Sequence, residues 1–226
     1  MFTINQRFEF LDQLAKMVIG GDTPSLIVTG EGGLGKTHAI TQAIQNSDLC
    51  SDDYVFIKGY STARGLYNAL YDNNSRLIIY DDCDSILEDK VALNILKSAL
   101  DSYEKRTITW AARMNRNDEY PQQFDFTGRI IFISNKSKES MNDALLSRSL
   151  TVDLTMTAED KITRMNSILA NIMPEYDIAA KTDALNFLNS VKDEVSLNIR
   201  MLIMVTKMRV AYPNNWVDMA KYMIRG

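Results

Sequence analysis

Residues 30–37 read Gly30-Glu31-Gly32-Gly33-Leu34-Gly35-Lys36-Thr37, a full match to the pattern G-x-x-x-x-G-K-[ST]. No other stretch restricts the fold as much. Glycines let the backbone curl tightly enough for successive N–H groups to converge on one point, which suits a di- or triphosphate. Lys36 brings a mobile positive charge to the β- and γ-phosphate oxygens, and the Thr37 hydroxyl is placed to ligate Mg²⁺. The flanks fit the same use. Leu26-Ile27-Val28-Thr29 reads as a short buried strand feeding the loop. Ala39, Ile40, Ala43 and Ile44 then repeat at helical spacing, which sets the phosphate on a helix N-terminus.

The rest of the chain extends this pattern. Tyr54-Val55-Phe56-Ile57, Leu77-Ile78-Ile79-Tyr80, Ile130-Ile131-Phe132-Ile133 and Leu150-Thr151-Val152-Asp153-Leu154 are further strand candidates. Between them lie helical patterns, one capped by Ser61 or Thr62 and another over residues 88–101. An N-terminal helix carries Phe8, Leu11, Leu14 and Val18. Strands alternating with helices predict an α/β fold, a doubly wound parallel sheet of about five strands, with ligands at the carboxyl ends of the strands. Past about residue 155 the strand signal stops. Thr157-Ala158-Glu159-Asp160 offers a capping-box start for a helix with Ile162, Met165, Leu169 and Ile172 on one face, ended by Pro174. Helices over about 183–191, 198–211 and 215–224 follow. The expected division is therefore an α/β core over 1–155 and a small all-helical lid over 156–226.

Composition narrows the chemistry. With Cys50, Cys83 and the single histidine His38 in 226 residues, zinc and iron–sulfur sites fit poorly. A net charge of −4 argues against a general polyanion-coating protein while leaving room for a local basic groove. No run approaches the ~18 apolar residues of a membrane span, and the N-terminus lacks a secretory pattern, so a cytoplasmic protein without a membrane partner is expected.

Beyond the loop, Asp81 ends the Leu77–Tyr80 strand, where a carboxylate holds the Mg²⁺ shell beside Thr37. Asp82 is next, placed to orient or deprotonate an attacking water; the bland alternative for both is a polar strand end. Asp84 reads as a helix cap or solvated residue. Asn135 closes the Ile130–Ser134 strand, where an amide can position water near a γ-phosphate, or it simply forms the Ser134-Asn135-Lys136-Ser137 turn. Asp143-Ala144-Leu145-Leu146-Ser147-Arg148 puts an arginine at a helix end before the last strand.

That order of elements resembles the AAA+ ATPase family over about residues 8–212. The resemblance implies that Gly30–Thr37 are Walker A, binding ATP, and Leu77–Asp82 Walker B, with Thr37 and Asp81 holding Mg²⁺. It implies that Asn135 is sensor 1, Arg148 an arginine finger acting on a neighbouring subunit's nucleotide, and Arg200 sensor 2 at the start of a lid helix, a role Arg209 would also serve. Lys36, Asp82, Asn135 and Arg148 would be the catalytic set. Gly35-Lys36-Thr37-His38 is similar to the loop of bacterial helicase loaders and replication initiators, and the compact chain resembles small bacteriophage replication proteins of this family, such as helicase or clamp loaders. His38, next to the loop, is carried with it as a nucleotide-binding candidate, against the plainer reading of simple packing or solvent contact.

One position departs from the family. Walker B usually ends Asp-Glu, and here it ends Asp81-Asp82. The shorter acid sets the carboxylate about 1–1.5 Å back, and misplacement of that size costs about 100-fold in rate. Slow turnover, or a site geometry adjusted to aspartate, is expected.

The expected activity is thus ATP hydrolysis with Mg²⁺ by a homo-oligomer that acts on DNA or loads or remodels a replication protein, in the cytoplasm of a bacterium or a phage-infected host. A remodeller of protein substrates and a small P-loop metabolite kinase are the alternatives. Three surfaces offer substrate contacts. Lys58-Gly59-Tyr60 follows the second strand, where the resemblance implies an aromatic pore loop, or its tyrosine is simply a structural turn residue. The insertion over 104–129 carries Lys105, Arg106, Trp110, Arg113 and Arg116 against Glu104, Asp118, Glu119 and Asp125, which suits single-stranded DNA or a protein. The lid bears Lys207 and Arg209.

Overall fold

The computed structural model describes residues 2–101, 105–111 and 119–225. Glu104, Arg113, Arg116 and Asp118 of the insertion lie outside them. The chain forms two compact units, one of Phe8–Glu31 and Lys36–Leu154, the other of Met1–Arg7, Gly32–Gly35 and Thr155–Gly226.

The first unit is built on strands β1 (Ser25–Thr29), β2 (Tyr54–Lys58), β3 (Leu77–Asp81), β6 (Arg129–Ile133) and β7 (Leu150–Asp153). They form one parallel sheet in the order β2-β3-β6-β1-β7. Every residue of β1 and β3 is buried, as strands covered on both faces require, which explains their unbroken apolar runs. Helix α1 (Ile4–Gly20) precedes the sheet; α2 (Lys36–Gln45), α3 (Ala63–Asp72), α4 (Ser85–Glu88), α5 (Lys90–Ala99) and α6 (Asp143–Leu146) connect its strands. Thr62 caps α3, its side chain accepting the Gly65 N–H. The helix expected over 88–101 is broken at Asp89, whose carboxylate caps α5 by accepting from Val91 and Ala92. Leu66, Leu70 and Leu96 are fully buried against the sheet core, each stabilising the fold by about 1.5–3 kcal/mol.

A small hairpin, β4 (Thr107–Thr109) antiparallel to β5 (Gln123–Asp125), occupies the insertion. It is an anchored element. Ile108 is buried, Trp110 and Phe124 pack on Tyr67 with ring centroids at 5.6 and 5.3 Å, and Tyr120 packs on Tyr71 at 5.6 Å. The Arg64 guanidinium lies over the Tyr67, Trp110 and Tyr120 rings. Trp110, expected as a stacking surface for a ligand, is spent on packing. Arg106 is buried, and Lys105 pairs with Asp125 at 3.3 Å.

The second unit contains α7 (Ala158–Ile168), α8 (Ile178–Ser190), α9 (Ile199–Ala211) and α10 (Trp216–Arg225). Thr157 and Asp160 form the expected capping box of α7. That helix stops at Ile168, short of Pro174, and Met173 turns the chain with φ +48°. Helix α8 begins earlier than expected because Ala179 and Ala180, which carry no periodic signal, are strong helix formers. Met165, Leu188, Leu202, Val205 and Ala220 form its core. Arg7 is tied here by its bond to the Thr155 carbonyl at 2.6 Å and its ion pair with Asp160. Among the described residues no helix is long and apolar enough to cross a membrane.

Candidate nucleotide site

The glycine loop leaves β1 and enters α2 directly at Lys36. Gly33 and Gly35 have φ of +74° and +94°, a region in which a side chain is strained. A Cβ on Gly33 would also stand 3.2 Å from the Asn198 Cβ, and the Gly33 carbonyl accepts the Ile199 N–H at 3.0 Å. Leu34 is buried, Gly30 is buried, and Glu31 and Gly32 are exposed.

Lys36 is buried and all three ammonium protons have acceptors: the Gly30 carbonyl at 2.5 Å, the Glu31 carbonyl at 2.7 Å and the Asn135 Oδ1 at 3.0 Å. Burial holds its pKa below the usual lysine value, opposed by the carboxylates of Asp82, Asp81, Asp84 and Glu31. The Thr37 hydroxyl donates to Asp81 Oδ1 at 2.8 Å. Asp81 is itself buried at the end of β3. Two hard oxygen donors so close together suit Mg²⁺. Among the described residues no group of three or more His, Cys, Asp or Glu side chains can hold a metal alone, so phosphate oxygens would complete the shell.

Asp82 follows in the left-handed region, φ +58°, and is exposed. Its Oδ1 accepts a short hydrogen bond from Asn135 Nδ2. Asn135 thus links the lysine of the loop to the acid after β3. Neighbouring strands make this meeting possible, since β6 lies between β3 and β1.

Two participants were not legible as such. Asp84 stands at the N-cap position of α4 but makes no cap bond. Its carboxylate instead accepts from the Ser134 hydroxyl at 2.6 Å and the Asn135 N–H at 3.2 Å, fixing the end of β6. Lys58, expected in a substrate-facing turn, ends β2 in register with Asp81 and pairs with its Oδ2 at 2.9 Å. The register of the parallel pair was the missing signal. Tyr60, two residues on, is 82% exposed. Cys83 is buried beneath the site, and burial pushes its thiol up to about 11.

Arg148 follows α6, folded back on its own chain: it donates to the Ala144 carbonyl at 2.7 Å and pairs with Asp101 at 3.5 Å. His38 is exposed on the first turn of α2, and Arg200 is exposed as the second residue of α9 in the other unit.

The whole chain is similar to solved structures. It aligns with the Holliday junction branch migration motor RuvB of Thermotoga maritima over 97% of its own length and 68% of that chain, with a TM-score of 0.55 and 15% identity. It aligns with NtrX of Brucella abortus, solved in complex with ATP, over 92% of its length and 51% of that chain, again with a TM-score of 0.55 and 15% identity. The fold is that of the AAA+ P-loop ATPases. Within the AAA+ fold the five-stranded parallel sheet and the C-terminal helices are both accounted for. No family model matches the chain. In sequence it is 33% identical over 183 residues to an uncharacterized 36.7 kDa protein of the nrdC-mobD intergenic region of Enterobacteria phage T4, covering 74% of this chain. The chain spans 56% of that phage protein's length.

Proposed function

We propose that this chain binds ATP with Mg²⁺ and hydrolyses it slowly, assembling with copies of itself to act on DNA or on a replication protein in a bacterial or phage-infected cell. The observation that carries the reading is the connected set Thr37–Asp81 and Lys36–Asn135–Asp82 at the ends of three adjacent strands. Lys36 would exchange its neutral acceptors for charged phosphate oxygens, which are stronger partners. Thr37 and Asp81 would hold Mg²⁺, which neutralises charge on the β- and γ-phosphate oxygens when bound. Asp82 would orient or accept a proton from the attacking water, with Asn135 holding its carboxylate in place. The ATP complex of NtrX supports the nucleotide, the motor role of RuvB supports DNA, and the phage T4 relative supports the phage setting.

Arg148 would serve a neighbouring copy's nucleotide after leaving Asp101. Both side chains of that pair are partly exposed, and such pairs contribute about 1 kcal/mol or less, so release is easy. A protein substrate remains the second reading, favoured by one observation: the hairpin's described cations and its tryptophan are engaged internally.

The deciding experiment follows ATP hydrolysis at low salt with and without single-stranded DNA while light scattering tracks mass. DNA-stimulated hydrolysis by an ATP-assembled oligomer is expected, and Arg148→Ala should depress hydrolysis in the assembled state with nucleotide binding intact. A protein that stays monomeric with ATP and ignores DNA would defeat the assembly and DNA parts of the reading. Asp84→Ala should lower kcat by about tenfold through Asn135, since a small misplacement of a site group is costly, with nucleotide Kd unchanged. Equal rates in variant and parent would remove Asp84 from the site.

A further inference from the structure

Asp81 has both carboxylate oxygens engaged. Oδ1 accepts the Thr37 hydroxyl at 2.8 Å, and Oδ2 faces the Lys58 ammonium at 2.9 Å. Lys58 reaches Asp81 from the neighbouring edge strand β2, where the two residues are directly in register. Its ammonium also lies 5.5 Å from the centroid of Phe56, two residues earlier on the same face of β2. The chain thus provides its own cation at the carboxylate that would serve Mg²⁺. The Lys58 side chain is 60% exposed while that of Asp81 is 6% exposed. The acid is fixed and the lysine is free to leave.

We propose that Lys58 is a tethered cation that shares Asp81 with Mg²⁺ and thereby sets how strongly nucleotide binding depends on that ion. The proposal rests on the nucleotide reading above. Two effects act on the same quantity. Without Mg²⁺, Lys58 supplies positive charge beside the phosphate loop and supports binding of the bare nucleotide. With Mg²⁺, the ammonium competes for Asp81 and repels the metal, because like charges a few ångströms apart oppose one another. Both effects shrink the ratio of nucleotide Kd without Mg²⁺ to Kd with it. By linkage that ratio is also the factor by which nucleotide strengthens metal binding.

The test is equilibrium titration of the full chain with a fluorescent ATP analogue, in EDTA and in saturating Mg²⁺. Lys58→Met keeps the stem over Phe56 and removes the charge. It should raise the ratio about fivefold, the size set by a partly exposed ion pair, whereas Lys58→Arg should keep the parent ratio. Lys58→Gln gives the same comparison if the methionine variant folds poorly. An unchanged ratio in both uncharged variants, with nucleotide still bound, overturns the role of Lys58 alone. A parent chain that binds no analogue under either condition overturns the nucleotide reading and this proposal with it.

Discussion

Replacing Lys36 with alanine should weaken ATP binding by more than about a hundredfold. The ammonium now donates to three neutral acceptors, Gly30 O, Glu31 O and Asn135 Oδ1, in a buried position that disfavours its charge. A triphosphate offers charged acceptors at the same place. Two charge-assisted bonds at about 1.5–3 kcal/mol each correspond to two or more orders of magnitude in Kd. Lys36→Arg should not restore binding, because the planar guanidinium cannot take the place of a compact ammonium inside a curled loop. Isothermal titration with an ATP analogue measures the effect, with thermal melting as the control for folding. Affinity within tenfold of the parent would remove the loop from nucleotide binding.

The second large effect concerns stability. Arg106→Ala should cost about 3 kcal/mol of folding free energy. Arg106 is buried, donating to the Ala99 carbonyl at 2.9 Å and the Gly128 carbonyl at 2.7 Å, with its guanidinium 5.0 Å from the Phe126 ring centroid. Burial lowers its pKa and the Asp101 carboxylate opposes that shift. Truncation takes the donors from two carbonyls and the stem from a buried ring. Arg106→Lys should recover part of the loss, as an ammonium on a shorter reach serves one carbonyl well and two poorly. Urea denaturation of the two variants decides the matter, and a loss below about 1 kcal/mol would show that the guanidinium is not a structural tie.

Arg106 also illustrates what could be read from the sequence. Beside Lys105 and Trp110 it looked like part of a nucleic-acid surface, because local spacing cannot reveal two carbonyls contributed by α5 and by the segment before β6. The strands were legible for the opposite reason: continuous apolar runs such as Leu77–Tyr80 ending in acids occur where a strand is covered on both faces. Thr37, Asp81 and Asn135 were legible because each sits at a strand or helix end whose place follows from the order of elements. Lys58 and Asp84 were not, because their partners are set by register between strands and by the turn after β3. Helix ends fared the same way: Thr157 announced α7 through its own cap, whereas the start of α5 at Lys90, after the Asp89 cap and two residues past the expected 88, was not marked by periodicity, which begins only at Val91.

The left-handed backbone at Asp82 gives the unusual acid a rationale. Aspartate and asparagine tolerate this region better than longer side chains, since a short polar group can bond locally there. Glutamate at 82 would gain reach toward a water but meet a less favourable backbone, so length and conformation pull in opposite directions at one residue. Asparagine would keep the backbone and discard the charge; glycine would keep the turn and discard the side chain. Geometry, charge and turn can therefore be varied separately at this position, and the rate of the proposed hydrolysis with them, while Lys36 and Thr37, which would hold the nucleotide, stay untouched.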